Sequence, residues 1–243
     1  SGLLGWPLKV TISGTTGFTW KFFWVGKENL VPQRVPSNLD YDMWLGPAPY
    51  KPYNEHRVHQ TFRGYWDYDG GGLTDMGQHY MDPVQYLLGK DETSPVKVEV
   101  DAPEQHPDAV DIWRKIVYTY DDGCQIVLEG EGFESKDDTP YIEGPLGKVY
   151  KGFRCTIPDV MEKLAELPDP EPQNTDFLEC VRTRRRFALD EEIGHRSCTL
   201  VNMGACALRL NRTLHFDPVS QLFVGDDAAN RLVDQPMRRP WQI

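Results

Sequence analysis

The chain has 243 residues, 40 % of them apolar, with seven Trp and eleven Tyr, so it can bury a core and is no disordered segment. A net charge of −11 argues against a nucleic-acid partner, and the basic run at residues 182–186 is too local to change that. Five cysteines without a C-x-x-C pair argue against a disulfide framework or a cysteine-rich zinc site, and no apolar run reaches the roughly 18 residues of a membrane span.

The chain opens on "SGLLGWPLKV", with neither a signal peptide nor an initiating Met. That start is expected to be a cut, so localisation, cytoplasmic or periplasmic, cannot be read from it. Residues 7–13 alternate Leu8, Val10 and Ile12 against Lys9, Thr11 and Ser13, the pattern of a half-buried strand. Residues 14–65 are rich in proline and aromatics without periodicity, which predicts a long ordered excursion. Residues 73–88 carry an apolar stripe (Leu73, Met76, Tyr80, Val84, Leu87) at helical steps, with Pro83 expected to kink or restart the helix.

Strands follow. Residues 96–100 alternate. Residues 111–120 and 124–132 flank Asp121-Asp122-Gly123, a hairpin signal, and residues 139–144 and 148–153 flank a second one at Pro145-Leu146-Gly147. Residues 174–184 and 195–210 are predicted helices; small residues such as Gly204 and Ala207 would let the second lie close to a sheet. A last hairpin at 213–225, an Asp-capped helix at 226–233 and an extended tail at 234–243 complete the chain.

No repeat and no strict βαβ alternation are present. The expected fold is a single α+β domain over 1–243, with an open, mostly antiparallel sheet and helices packed on one face. The aromatic strand around Trp113, Ile116, Tyr118 and Tyr120 suggests a covered second face, hence a homodimer or homotetramer through the sheet.

The stretch "YDGGGLTDMGQHYMDP" at residues 68–83 admits four readings. A nucleotide loop fits poorly, because G-x-G-x-x-G spacing and a preceding strand are both missing. A metal site has Asp75 and His79 at i, i+4 but no second ligand pair, so no metal is expected. The pair can be a plain solvated helix face. It can also be a catalytic face, with His79 as a base of near-neutral pKa and Asp75 beside it to bind a hydroxyl or orient the ring. Tyr65, Trp66 and Tyr68 just upstream would offer aromatic faces to a sugar.

This stretch, with "NLDYDMWLGPAPYKPYN" before it and "DFLECVRTRRRFALDEEIGHRSCTLVNMGACALRL" and "GDDAANRLVDQPMRRPW" after it, resembles the C-terminal domain of the Gfo/Idh/MocA oxidoreductase family, bacterial branch. The resemblance implies a two-domain enzyme whose N-terminal Rossmann half, outside this sequence, binds NAD or NADP. It implies that His79 and Asp75 are catalytic. Arg63, Trp66, Tyr65 and His195 would lie near a small sugar or polyol substrate, and Gly71 and Gly72 would wall the nicotinamide from this side. His195, read as starting a helix, could also offer backbone donors to an anion. The chain alone is expected to bind no cofactor. Two other classes stay open: a cofactor-free lyase or hydratase acting on keto-sugars, and a non-catalytic carbohydrate-binding or oligomerisation module.

Overall fold

The computed structural model describes residues 2–132 and 138–241. Nine strands form one sheet: β1 (Lys9–Ile12), β2 (Lys97–Asp101), β3 (Lys115–Thr119), β4 (Gln125–Glu129), β5 (Ile142–Gly144), β6 (Gly147–Tyr150), β7 (Arg154–Cys155), β8 (Leu214–Asp217) and β9 (Leu222–Phe223). Their order is β7-β6-β5-β1-β4-β3-β2-β8-β9. The pairing is antiparallel except between β1 and β4, where Thr11 stands beside Val127. The fold is the expected α+β arrangement with an open sheet.

Two long helices cover one face: α2 (Gly71–Leu87) and α5 (Glu191–Leu210). Leu73, Met81, Val84, Leu200, Met203 and Leu208 meet Val10, Val98, Ile116, Tyr118, Ile126 and Leu128 in one core. Burial of this apolar surface is the main driving force for the layer. The small residues of α5 act as expected: a Cβ on Gly204 would stand 2.1 Å from the Tyr118 hydroxyl, so helix and strand touch backbone to ring. Pro83 does not end α2, which runs on to Leu87. Its missing N–H leaves the His79 carbonyl without the usual partner four residues on.

Two expectations are corrected. First, α5 starts at Glu191, not at His195, because the Asp190 carboxylate accepts from the Ile193 N–H and caps the helix. His195 therefore sits in the second turn, where its N–H belongs to the helix ladder and offers nothing to an anion. Second, Trp113, Ile116, Tyr118 and Tyr120 are all at most 2 % exposed and pack in the core. The face away from the helices carries the alternate residues instead, of which Thr11 and Val127 are themselves only 3 % and 5 % exposed. One row across it reads Glu99, Val117, Val127 and Thr11; the next reads Lys97, Thr119, Gln125, Lys9 and Glu143.

The long excursion holds α1 (Tyr41–Leu45) and two 3₁₀ turns, Glu55–Arg57 and His59–Gly64. Arg57 anchors it with a bidentate ion pair to Asp108, 3.2 Å from Nη1 to Oδ1 and 2.5 Å from Nη2 to Oδ2. Two glycines let it lie flush: a Cβ on Gly26 would be 2.2 Å from the Gly64 carbonyl oxygen. Short helices α3 (Val160–Ala165), α4 (Phe177–Thr183) and α6 (Asp227–Val233) complete the chain. The tail returns to α1, where the Arg238 guanidinium donates to Asp42 Oδ1 at 2.6 Å and to the Gly46 carbonyl at 3.0 Å. Residues 242 and 243 of the tail lie outside the described residues.

Candidate active site on the glycine-led helix

The start of α2 is set by close packing. Gly70 and Gly71 have positive φ (114° and 80°), and Cβ atoms on Gly71 and Gly72 would stand 2.8 Å from Val110 Cγ1 and from the Lys21 carbonyl oxygen. Only glycine permits both the turn and the approach. Gly71 and Gly72 thus seat the helix against residues 21–24 and Val110 of the same chain. A coil segment and not a strand leads into the helix, so these residues do not form a dinucleotide cradle, which needs a strand, a glycine turn and a helix in series.

Asp75 and His79 follow one turn apart on the side of α2 away from the core. His79 is exposed and borders a surface hollow of about 350 Å³ with Gln78, Asp82, Pro83, Leu189 and Gly194. Asp82 is tied to α5 by the Ser197 hydroxyl. Asp75 is half-buried and makes no hydrogen bond to His79. Its Oδ1 accepts from Arg63 Nε at 2.7 Å. The Arg63 guanidinium carbon lies 4.8 Å from the ring centres of both Trp24 and Phe62, which fix it from two sides.

The other expected residues divide. Tyr65 is 0 % exposed, with its hydroxyl on His56 Nδ1 at 2.7 Å and taking the Lys27 N–H at 3.3 Å. Its side chain thus belongs to the fold and not to an open surface. Burial lowers the pKa of His56 below its ordinary value, with the Lys27 charge adding to the effect. Trp66 and His195 line a different cavity, of about 370 Å³, which Asp75 and His79 do not reach.

Asp69 also lines that cavity and was not singled out in the sequence. It accepts from Thr74 Oγ1 at 3.2 Å, and burial, aided by the charge of Asp75, pushes its pKa up to about 6. The available sequence signal was the α5 stripe His195, Thr199, Asn202, Cys206 and Arg209, spaced at 4, 3, 4 and 3 residues. Among the described residues, no three His, Cys, Asp or Glu side chains gather where they could hold a metal ion, and no helix is long and apolar enough to cross a membrane.

An open sheet backed by two helices, with an acid and a histidine one turn apart on the outer side of the first, defines an α+β domain with a candidate acid–base pair. The chain belongs to the Gfo/Idh/MocA oxidoreductase family: it matches that family's C-terminal alpha/beta domain over residues 1–243. No curated protein matches it significantly. Among solved structures it is similar to the WlbA dehydrogenase from Bordetella pertussis in complex with NADH and UDP-GlcNAcA, at 14 % identity over 89 % of this chain and 56 % of that one, TM-score 0.47. It is similar also to an NAD-binding protein from Listeria innocua, at 15 % identity over 86 % and 54 %, TM-score 0.45. A third is the aldose-aldose oxidoreductase from Caulobacter crescentus complexed with glycerol, at 20 % identity over 60 % and 48 %, TM-score 0.40. The chain spans about half the length of these solved chains, and likeness at this distance carries no argument about chemistry.

Proposed function

We propose that this domain binds a small sugar or polyol and supplies the proton-transfer group of an NAD(P)-dependent dehydrogenase whose cofactor is held by a separate domain. The observation that carries the reading is the division of labour on α2. Arg63 holds Asp75, and His79 stands one turn on, accessible and without a hydrogen bond among the described residues. Oxidation of a carbinol removes a hydride from carbon and a proton from oxygen. A bound nicotinamide would supply the hydride acceptor, and the role of His79 is to take the hydroxyl proton. Asp75 keeps Oδ2 free of hydrogen bonds within the described chain, an acceptor for a neighbouring substrate hydroxyl that would fix the ring. Self-association through the uncovered sheet face is part of the same proposal.

The test is made on the complete protein with NAD⁺ and NADP⁺ and a panel of sugars and polyols, following reduced cofactor by absorbance. With a substrate in hand, His79→Asn is expected to fold normally and to lose about 10²- to 10⁴-fold in kcat, the usual share of general acid–base catalysis. Near-normal turnover in that variant would make His79 a solvated surface residue.

A further inference from the structure

Between Pro158 and Arg186 a single side chain, Cys180, is buried. α4 lies in this stretch, tied only to the residues that flank it. The Ala188 N–H donates to the Asn174 carbonyl at 2.9 Å, and the Phe177 ring meets that of Phe187 with centres 5.7 Å apart. Isolated helices shorter than about 12–15 residues are marginal in water, so a seven-residue helix needs apolar cover. Phe177, Leu178 and Val181 are the surface such cover would take, 61 %, 63 % and 47 % exposed.

That surface runs up to the catalytic face of α2. Leu189, itself 60 % exposed, shares the 350 Å³ hollow with His79. Arg186 Nη1 donates to Glu92 Oε1 at 3.1 Å, shortly after the end of α2. On α2 itself, Tyr86 stands two turns beyond His79 on the same side and is half exposed. Open apolar side chains therefore border His79 from two elements. The sheet face proposed for self-association is turned away from α2, so a second copy held there leaves this surface free.

In the dehydrogenase proposed above, on which this inference rests, hydride leaves the carbon whose hydroxyl gives its proton to His79. Reacting atoms must come within roughly 3–3.5 Å of each other. The body that carries the nicotinamide therefore has to lie over the His79 hollow. An interface between domains buries roughly 600–1,500 Å², far more than the mouth of one hollow, so its footprint extends onto what borders it. We infer that α4, with Leu189 and Tyr86, is the platform on which the cofactor-bearing domain docks. Charge describes that partner further. Arg182, Arg184 and Arg185, at the end of α4, are exposed and make no ion pair among the described residues. The matching face is apolar at its centre and carries carboxylates where it meets these arginines.

The experiment is hydrogen exchange with mass spectrometry on the complete protein, reading the amides of residues 177–183, beside a fluorescence titration with NAD⁺ and NADP⁺. These amides are expected to exchange at least about tenfold more slowly than in an unstructured peptide of the same sequence. The protection should not change on dilution through the micromolar range, because the covering domain belongs to the same protein. Leu178→Glu/Val181→Glu should abolish it. That variant should bind the cofactor as tightly as the parent, since the dinucleotide site lies on the docked domain. With a substrate from the panel above, it should lose at least about tenfold in kcat, since the nicotinamide is no longer held over His79. Free exchange at 177–183 in a parent that binds NAD(P), or an unchanged kcat in the variant, would overturn the platform and leave the dehydrogenase reading standing. Protection that vanishes on dilution would give the face to a second copy and overturn it as well. A parent that binds neither cofactor would remove the dehydrogenase reading and the platform with it. Should the variant fail to fold, exchange in the parent and its response to dilution decide alone.

Discussion

Arg63 and Asp75 are joined across twelve residues, Nε to Oδ1 at 2.7 Å, from a 3₁₀ turn to the first full turn of α2. The arginine reaches the helix between Trp24 and Phe62, so the carboxylate is held from outside its own helix. Asp75 is thereby committed to Arg63, and its part in catalysis, on the proposed reading, is to bind substrate and not to orient His79.

That arrangement makes Arg63 a positioning residue. Arg63→Met keeps the apolar stem between the two rings but drops the charge. Unfolding should become easier by no more than about 1 kcal/mol, since the pair is only half-buried. kcat/KM should fall about 10- to 100-fold through loss of a charge-assisted contact to Asp75. Arg63→Lys should recover little, because a compact ammonium neither stacks nor forks as a guanidinium does. Steady-state kinetics beside a thermal melt of each variant decide it: a large loss of stability with little kinetic effect would make Arg63 structural.

Asp69 gives a pH-dependent prediction. Its pKa rises from 3.8 unfolded to about 6 folded, because burial and the Asp75 charge both oppose ionisation. The folded state therefore holds this proton more tightly, and the carboxyl's contribution to stability declines as pH rises from about 4 through 6. Asp69→Asn removes the ionisation and can still accept from Thr74. The variant should melt higher than the parent above pH 6.5, with the gap closing toward pH 4. Partial exposure screens the effect to on the order of 1 kcal/mol, or about 2–4 °C for a domain of this size. A gap that is flat with pH, or that opens on acidification, would refute it.

The uncovered sheet face predicts self-association on altered grounds. The aromatics that suggested it from sequence are buried under the helices. What the face offers is the half-buried Val117, beside a Val127 that is only 5 % exposed, with Lys97–Glu99 and Lys9–Glu143 ion pairs around them at 2.8 and 2.6 Å. A closed dimer or tetramer is expected by light scattering at micromolar concentration, and Val117→Arg should dissociate it. A monomer in the unaltered protein would remove the proposal.

How much of this was legible follows from the range of each interaction. β1, the hairpin at Asp121-Asp122-Gly123 and the body of α2 show their period within a few residues, and all three are where the pattern placed them. The first turn of α5 was missed because Asp190-Glu191-Glu192 and Gly194 look like loop. Only the Asp190 cap, a tertiary-free but purely polar signal, marks that helix start. The Arg63–Asp75 link and the cavity beneath α6 depend on segments that meet only after folding. For the cavity, the polar stripe on α5 was readable, while its cover by β8, β9 and Trp66 was not.

The contact between Gly204 and Tyr118 carries a last prediction in the form of a cycle. The Tyr118 hydroxyl is fully buried and has no hydrogen-bond partner among the described residues, and burial holds it far above its ordinary pKa. An unpaired buried hydroxyl costs roughly 1–3 kcal/mol by mutational measures, so Tyr118→Phe should stabilise the protein by about 1 kcal/mol or more. Gly204→Ala places a methyl 2.1 Å from that hydroxyl, inside contact, with Leu73 Cδ2 already 3.1 Å away. Overpacking of this kind costs about 1–3 kcal/mol, more than the roughly 0.5–1 kcal/mol that alanine gains over glycine in a helix. Without the hydroxyl, the nearest ring atom is Cζ at 3.3 Å, a distance a small shift relieves. Gly204→Ala should therefore be clearly destabilising in the parent and close to neutral in Tyr118→Phe. Urea unfolding of the four proteins measures the coupling, which should exceed about 1 kcal/mol for two side chains in direct contact. Additive effects would mean that α5 does not press on β3 at this point.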